Sequence, residues 1–507
     1  MAEKIKMLLE GKIVTMAGHV IDHGRVFVEG DRIAAIRALG APSPAGWGAA
    51  KVVDTGGVIY PGLIDLHGHL AYNVLPLWEV PQRYENRAGW MGGDAYKRDI
   101  TAPMSRLTSQ GGAAFARALV RYVEVKLLLG GTTVAQGLRS WSGPGGSLYR
   151  GLVRNAEAPD EDGMLRAGTR VPDLKLDQVD QMRASLDSGE PYFFHLAEGV
   201  DERAKDQFKL LNDQSLLRDN LICIHCLGLS AVDHQTLRQT AAHAVWSPFS
   251  NLLLYGETLD KEALRGNFAL GCDWSPSGSR NLLHEMKVAS LHAQAAGWDL
   301  SHEILARSVT VNAAAALQWH EHVGRIAEGM LADLLVLDSN HPDPFENLVR
   351  ATERAVRLVI IDGHPRYGDQ ALLSAASRNQ NLESLSVGQR AKALDLHQPE
   401  SPLHGVGLQP AIDFLRSAMA DLTKPPPPPL FPMMNILAAD EGFTIELDMQ
   451  GDAEGPPLAM AAVEPRRSIP LDPLTVVDDP GYFERLDLQR NLPNHLKGAE
   501  GLRAFYG

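Results

Sequence analysis

Four short apolar runs in this sequence end on residues that can hold a metal ion or move a proton. The first lies in Val58–Asn73 (VIYPGLIDLHGHLAYN), where an apolar strand Ile59–Leu66 runs into His67-Gly68-His69. Along a strand, residues i and i+2 point the same way, so both imidazoles face one direction and make half of a divalent-metal site. The second run, Tyr192–Glu198 (YFFHLAE), ends on His195, with Glu198 three residues later. A carboxylate in that turn can reach a water on the metal without being a ligand itself. The third, Leu221–Leu227 (LICIHCL), places His225 at a strand end, 30 residues after His195 and so one βα unit on. The fourth, Phe268–Asp273 (FALGCD), ends on Asp273, 48 residues after His225, which leaves room for one intervening strand at Ala244–Ser247. Any one of these histidines could be an ordinary core or loop residue. Four strand-end coincidences in one order point to a metal site with a proton-transfer group beside it.

Strands that present side chains in this way need a frame. Short apolar runs at Val58–Leu66, Thr132–Gln136, Tyr192–Leu196, Leu221–Ile224, Ala244–Ser247 and Phe268–Asp273 alternate with helical stretches such as Ala114–Leu129 and Leu282–Ala296. That rhythm predicts a parallel sheet or an eight-stranded barrel, whose active site forms at the C-terminal strand ends. β-type runs also occur before it (Ile5–Thr15, Arg25–Glu29, Arg32–Arg37, Lys51–Asp54) and after it (Gly324–Asp338, Leu358–Gly363), which predicts one small sheet domain assembled from both ends. Beyond Tyr367 the chain turns polar and helix-friendly over Gln370–Ser401, amphipathic over Gln409–Leu422, and then runs through five prolines, Pro425–Pro429, a semi-rigid polyproline spacer. The last segment, Phe431–Gly507, reads as short strands and loops that dock on the barrel or on a second subunit.

Composition narrows the class. With 507 residues, 45% hydrophobic and 22% charged, the chain can bury a large core and is neither disordered nor a stapled mini-protein. A net charge of −14 argues against a nucleic-acid binder. No apolar run reaches the roughly 20 residues that span a bilayer, and the N-terminus lacks a signal-peptide h-region. Three cysteines, Cys223, Cys226 and Cys272, are too few for a disulfide framework and fit a reducing cytoplasm. Cys226 points opposite to His225 and no second Cys/His pair follows, so Cys223 and Cys226 read as small buried residues rather than a zinc knuckle. Lys126, in the apparent helix ahead of Gly130–Gly131, reads as solvated. SGPGGS at 142–147 lacks the Lys-Ser/Thr ending of a P-loop and reads as a plain loop.

The motifs PGLIDLHGHL (61–70), GGTTV (130–134), HLAE (195–198), IHCLGL (224–229), SPFSNLLLYGE (247–257), GCDWSP (271–276), VTVNAAAAL (309–317) and GRIAEGMLADLLVLD (324–338) follow one another in a familiar order. The chain resembles the amidohydrolase superfamily in its mononuclear branch, that of the cytosine, guanine and adenosylhomocysteine-type deaminases and the atrazine and melamine hydrolases. The resemblance covers roughly residues 5–368 and implies an α/β fold: a (β/α)₈ TIM-like barrel at 58–323 with a small β-sandwich built from 1–57 and 324–368. Outside it lie a helical extension at 369–424, the proline-rich linker 425–432 and a C-terminal segment 433–507. It further implies that His67, His69, His195 and Asp273 bind one Zn²⁺ or Fe²⁺, with Glu198 and His225 lining the same mouth. Cys272 stands where relatives commonly carry Thr, and Trp274 where many carry something small, which suggests a narrowed or aromatic-lined pocket.

The chemistry follows from the donor set. A divalent ion lowers the pKa of a bound water from ~15.7 towards neutrality. Asp273 and His225 can take that water's proton, and Glu198 can pass it to a departing amine, ring nitrogen or halide. The expected activity is hydrolysis at an sp² carbon of a small planar substrate, chiefly deamination of a heterocycle. The HxxE arrangement favours that over binuclear ring-opening enzymes. The alternatives are a cyclic or linear amide hydrolase on the same scaffold and, third, a catalytically silent scaffold protein. Specificity is expected from the loop at 70–99, which carries Tyr72, Trp78, Glu79, Arg83, Tyr84 and Trp90, and from Trp274. The expected partners are a small molecule and further copies of the chain, as a dimer or higher homo-oligomer, in the cytoplasm, with no nucleic acid and no membrane.

Overall fold

The computed structural model describes residues 6–142, 147–431, 443–450 and 466–507. The strands, in chain order, begin with β1 (Lys6–Val14), β2 (Val20–Glu29), β3 (Arg32–Ala38) and β4 (Lys51–Pro61). The middle of the chain contributes β5 (Leu63–Asp65), β6 (Thr132–Ala135), β7 (Ser140–Ser142), β8 (Ser147–Leu148), β9 (Arg154–Asn155), β10 (Gly168–Arg170), β11 (Tyr192–Leu196), β12 (Leu221–His225), β13 (His243–Trp246) and β14 (Phe268–Leu270). After it come β15 (Leu334–Asp338), β16 (Val356–Ile361), β17 (His364–Asp369), β18 (Glu383–Val387), β19 (Arg390–Leu394) and β20 (Thr444–Ile445).

Hydrogen bonds join the two ends of the chain into a single nine-stranded sheet, ordered β18-β19-β17-β16-β15-β4-β1-β2-β3. The reason is the seam. β15 lies antiparallel on β4, from Leu334 opposite Pro61 to Asp338 opposite Gly57, so the returning strands extend the N-terminal sheet edge to edge. Alternation sorts its side chains: Met7 and Leu9 join Val26, Val336 and Leu358 on one face, while Leu8 meets Phe27 and Trp47 on the other.

Two boundaries differ from the sequence reading. The apolar run Ile59–Leu66 is two strands, because the chain leaves the large sheet at Pro61 and turns at Gly62 before β5. A Cβ at Gly62 would lie 2.1 Å from the Thr133 hydroxyl, so this crossing needs glycine. The sheet also continues past residue 368: where a helical extension is expected, only Gln370–Ala376 is helical before the hairpin β18–β19. Gly388 and Gln389 both take positive φ (54° and 65°), as a two-residue turn between strands demands. Helix-friendly composition yields here to pairing with β17, which buries Ala393 and Leu394.

Eight short strands run parallel. β5-β6-β9 form one group and β10-β11-β12-β13-β14 another. Ala167 N–H donates to Ala156 O (3.0 Å) between the groups at one side. At the other, a parallel bridge pairs Gly68 with Asp273. There Asp273 N–H donates to His67 O (2.8 Å) and His69 N–H to Asp273 O (3.0 Å). Helices Val179–Asp187, Glu202–Asp213, Ala231–Gln239 and Pro248–Tyr255 alternate with β10–β14. No helix among the described residues is long and apolar enough to cross a membrane.

The C-terminal segment docks over the mouth of these strands. Lys126, expected to be solvated, is buried because that segment covers it. Its ammonium donates to Asn73 O (2.8 Å), Ser275 Oγ (3.0 Å) and Asp472 Oδ2 (2.8 Å). β20 pairs antiparallel with β7 and brings residues 443–450 alongside the strand ends. Pro425–Pro429 belong to no helix or strand. Pro432 and the glycine-rich tip 143–146 lie outside the described residues.

Candidate active site

The imidazoles of His67, His69 and His195 converge, with His195 Nε2 at 3.2 Å from both His67 Nε2 and His69 Nε2. Asp273 Oδ1 stands 3.5 Å from His67 Nε2 and 3.6 Å from His69 Nε2. All four side chains are buried. Two of the three outward nitrogens are engaged elsewhere: His67 Nδ1 contacts Ser247 Oγ (2.7 Å) and His69 Nδ1 contacts Asp448 Oδ2 (2.8 Å). Because a carboxylate only accepts, His69 Nδ1 carries the hydrogen and its Nε2 presents a lone pair inward. Inward lone pairs this close repel unless a cation or a proton lies between them. Three imidazole nitrogens with one carboxylate oxygen are a donor set that fits Zn²⁺ or Fe²⁺, and the same residues make two overlapping ligand groups with His225.

Electrostatics favour that occupancy at His67 and His195, whereas at His69 a cation competes with a proton. Burial, reinforced by the neighbouring rings, holds the pKa of His67 and of His195 well below 6.5, so both stay neutral and able to ligate. Burial also opposes charge on His69, but Asp448, Asp273 and Glu198 outweigh it and bring its pKa to about 8. Asp273 is pushed up by burial, against the pull of His69, His225 and the Ser250 hydroxyl, which donates to its Oδ2 at 2.5 Å.

The backbone that aims these groups is strained where the strands end. Ala197, His225, Cys226 and Asp273 all take positive φ, between 51° and 68°. Such residues cost of order 1–3 kcal/mol each and concentrate at functional sites. Gly271 permits the closest approach, since a Cβ there would lie 2.3 Å from the His67 Cβ.

Glu198 and His225 stand beside the cluster. Tyr255 OH donates to Glu198 Oε1 (2.7 Å). Glu198 Oε2 makes no hydrogen bond among the described residues and lies 3.5 Å from an Arg87 guanidinium nitrogen and 3.6 Å from His225 Nε2. His225 Nδ1 pairs with Asn251 Oδ1 (2.9 Å), which leaves its Nε2 facing Glu198 as an acceptor.

The loop residues named from the sequence divide. Trp274 lies 6.0 Å from the His69 ring and forms a box with Tyr72 (5.2 Å), Trp90 (6.0 Å) and Tyr96 (6.2 Å). Trp78 turns away, its indole donating to Asp99 (3.3 Å) and its ring lining a separate cleft under residues 466–489. Tyr84 packs under the loop by its backbone on Leu254, and Glu79 and Arg83 are exposed. None of these last four reaches the cluster; the loop approaches it through Tyr72, Arg87, Trp90 and Tyr96. Sequence reasoning missed Asp448, Ser247, Asn251, Tyr255 and Tyr96. Ser247, Asn251 and Tyr255 stand in the quoted run SPFSNLLLYGE and could have been found there. Asp448 has no local signal.

Residues 178–366 match the amidohydrolase family. A 5-methylthioadenosine/S-adenosylhomocysteine deaminase from Moorella thermoacetica is 26% identical over 407 residues, covering 69% of this chain and 91% of that protein. The structure is similar to a zinc-bound adenosine deaminase from Xanthomonas campestris (TM-score 0.58, 17% identity, 73% of this chain and 97% of that one). It is also similar to zinc-complexed atrazine chlorohydrolase from Arthrobacter aurescens TC1 (TM-score 0.57, 19% identity, 71% and 94%). Residues 178–366 thus form an amidohydrolase-family domain, and the proteins to which this chain is similar are deaminases and a chlorohydrolase.

Proposed function

We propose that the eight parallel strands close into a (β/α)₈ barrel and that the protein is a metal-dependent hydrolase which deaminates a heterocycle. His67, His69, His195 and Asp273 would hold one Zn²⁺ or Fe²⁺. The single observation that carries the reading is the convergence of three imidazole nitrogens, His195 Nε2 lying 3.2 Å from both His67 Nε2 and His69 Nε2, with a carboxylate oxygen 3.5–3.6 Å from the latter two. When bound, such an ion lowers the pKa of a coordinated water from ~15.7 towards neutrality and so supplies a nucleophile at physiological pH.

The chain's own residues do the rest. Asp273, raised by burial, and the free Nε2 of His225 accept the water's proton as oxygen adds to the amine-bearing carbon. Protonated His225 then donates to the developing negative charge on the ring. Glu198, held at Oε1 by Tyr255 and open at Oε2, takes over the proton removed from the water and delivers it to the amine. The C–N bond breaks, ammonia departs, and the ring keeps the oxygen. The box of Tyr72, Trp90, Tyr96 and Trp274 suits a flat aromatic ring, and the deaminase relatives favour a purine-type substrate. The three cysteines are buried and unpaired, in keeping with a cytoplasmic setting.

The experiment is ammonia release from a panel of aminopurines and aminopyrimidines by protein of measured metal content. About one divalent ion per chain and ammonia from at least one ring is the expected result. Ring opening of a cyclic amide without ammonia would establish the amide-hydrolase alternative instead. Full-length protein that takes up no divalent ion would overturn both.

A further inference from the structure

We infer that Asp448, on the C-terminal segment, is a positioning residue of the metal centre, so that the site is completed by a part of the chain 379 residues away from the histidine it orients. The inference rests on the metal-site reading above and adds a residue that neither the motifs nor the strand ends supply.

The geometry is specific. Asp448 Oδ2 accepts from His69 Nδ1 at 2.8 Å, and both side chains are almost fully buried, at 2% and 8% exposed. This contact sets the His69 tautomer. With the hydrogen held on Nδ1, the Nε2 lone pair faces His195 and Asp273; without it the ring could carry its hydrogen on Nε2 and be no ligand at all. The comparable nitrogen of His67 has only the Ser247 hydroxyl, and His195 Nδ1 has no partner among the described residues. Asp448 is thus the one carboxylate, among the described residues, that touches the outward nitrogen of any of the three histidines.

The segment is anchored independently of that bond. β20 pairs with β7, Glu446 N–H donates to Arg139 O (2.8 Å), the Glu446 carboxylate meets Arg139 (2.9 Å), and Tyr96 OH donates to Met449 O (3.2 Å). Asp448 is therefore delivered to His69 by a fixed strap.

The test measures zinc affinity of the full chain by competition with a chromophoric chelator, alongside the visible spectrum of the Co²⁺-loaded protein. Asp448→Asn preserves shape and should weaken zinc binding roughly 10- to 100-fold, as loss of such an outer partner typically does, and should alter the Co²⁺ spectrum. Asp448→Glu should restore part of the affinity. Glu446→Ala, which loosens the same strap through an exposed pair, should leave affinity and spectrum unchanged. Equal affinity in Asp448→Asn and the parent overturns the inference while leaving the metal site standing, provided His195→Ala loses zinc. Equal weakening by Glu446→Ala also overturns it, since strap packing and not the carboxylate would then be responsible. If the parent binds no zinc, the metal-site reading fails and the inference falls with it.

Discussion

Two buried polar clusters lie close together in this molecule and are built on opposite terms. In the clamp between the strand mouth and the C-terminal segment, every charge meets its opposite. Lys126 and Arg280 share Asp472 at 2.8 and 2.5 Å, and Arg280 also reaches Asp479 at 2.5 Å and Thr475 O at 2.9 Å. In the histidine cluster, nitrogens face nitrogens, His195 Nδ1 and Glu198 Oε2 have no hydrogen bond among the described residues, and four neighbouring residues take positive φ. A satisfied network holds the fold together. An unsatisfied, strained one persists only because the surrounding structure imposes it, and such strain concentrates at functional sites. Perturbing the two clusters should therefore separate stability from function.

The largest effect is expected from His195→Ala or from prolonged chelation, which should reduce deamination to background. Added Zn²⁺ should restore the chelated parent and leave His195→Ala inactive, as read by metal analysis and ammonia release. Glu198→Gln should keep its metal and lose ~10²–10⁴-fold in kcat, the range for a positioned acid–base group. Full activity in that variant would remove Glu198 from the mechanism. Asp472→Ala should behave in the reverse way. It strands buried Lys126 and Arg280, costs about 3–5 kcal/mol in urea unfolding, and leaves metal binding in the surviving folded protein. If it instead strips the metal, the clamp and the site are one unit and the contrast between them fails.

The smallest effect concerns His284, which sits in the clamp against Tyr482. Burial, followed by Lys287 and Arg280, holds its pKa well below 6.5. The unfolded chain thus takes up a proton as pH falls through 6.5 while the folded chain does not, so this group makes stability fall on acidification. In His284→Gln the urea midpoint should vary less between pH 6.5 and 5, by up to about 1.4 kcal/mol per pH unit. An unchanged slope would mean that His284 is not kept neutral in the fold.

The difference between what could and could not be read in the sequence follows the reach of each signal. His67, His69, His195, Glu198, His225 and Asp273 were legible because strand alternation and strand-end position are local properties, visible within six or seven residues. Ser247, Asn251 and Tyr255 were within a recognised run, but nothing local says that a hydroxyl or amide there supports a histidine. Lys126 reads as solvated for the same reason: its helix carries no mark of a segment 346 residues later that will cover it. The hairpin β18–β19 escaped because polar, helix-compatible residues took strand geometry only once β17 offered an edge to pair with.

By itself, then, the sequence determined the resemblance to the amidohydrolases, the alternation of strands and helices, and the inward-facing groups, since these depend on periodicity and on motifs spanning a few residues. The tertiary structure alone decided which groups meet. It joined both ends of the chain into one nine-stranded sheet, turned Glu79 and Arg83 outward and Trp274 inward, and carried Asp448 to His69. Such contacts arise from packing between elements hundreds of residues apart, where no residue's local preference records its eventual neighbour.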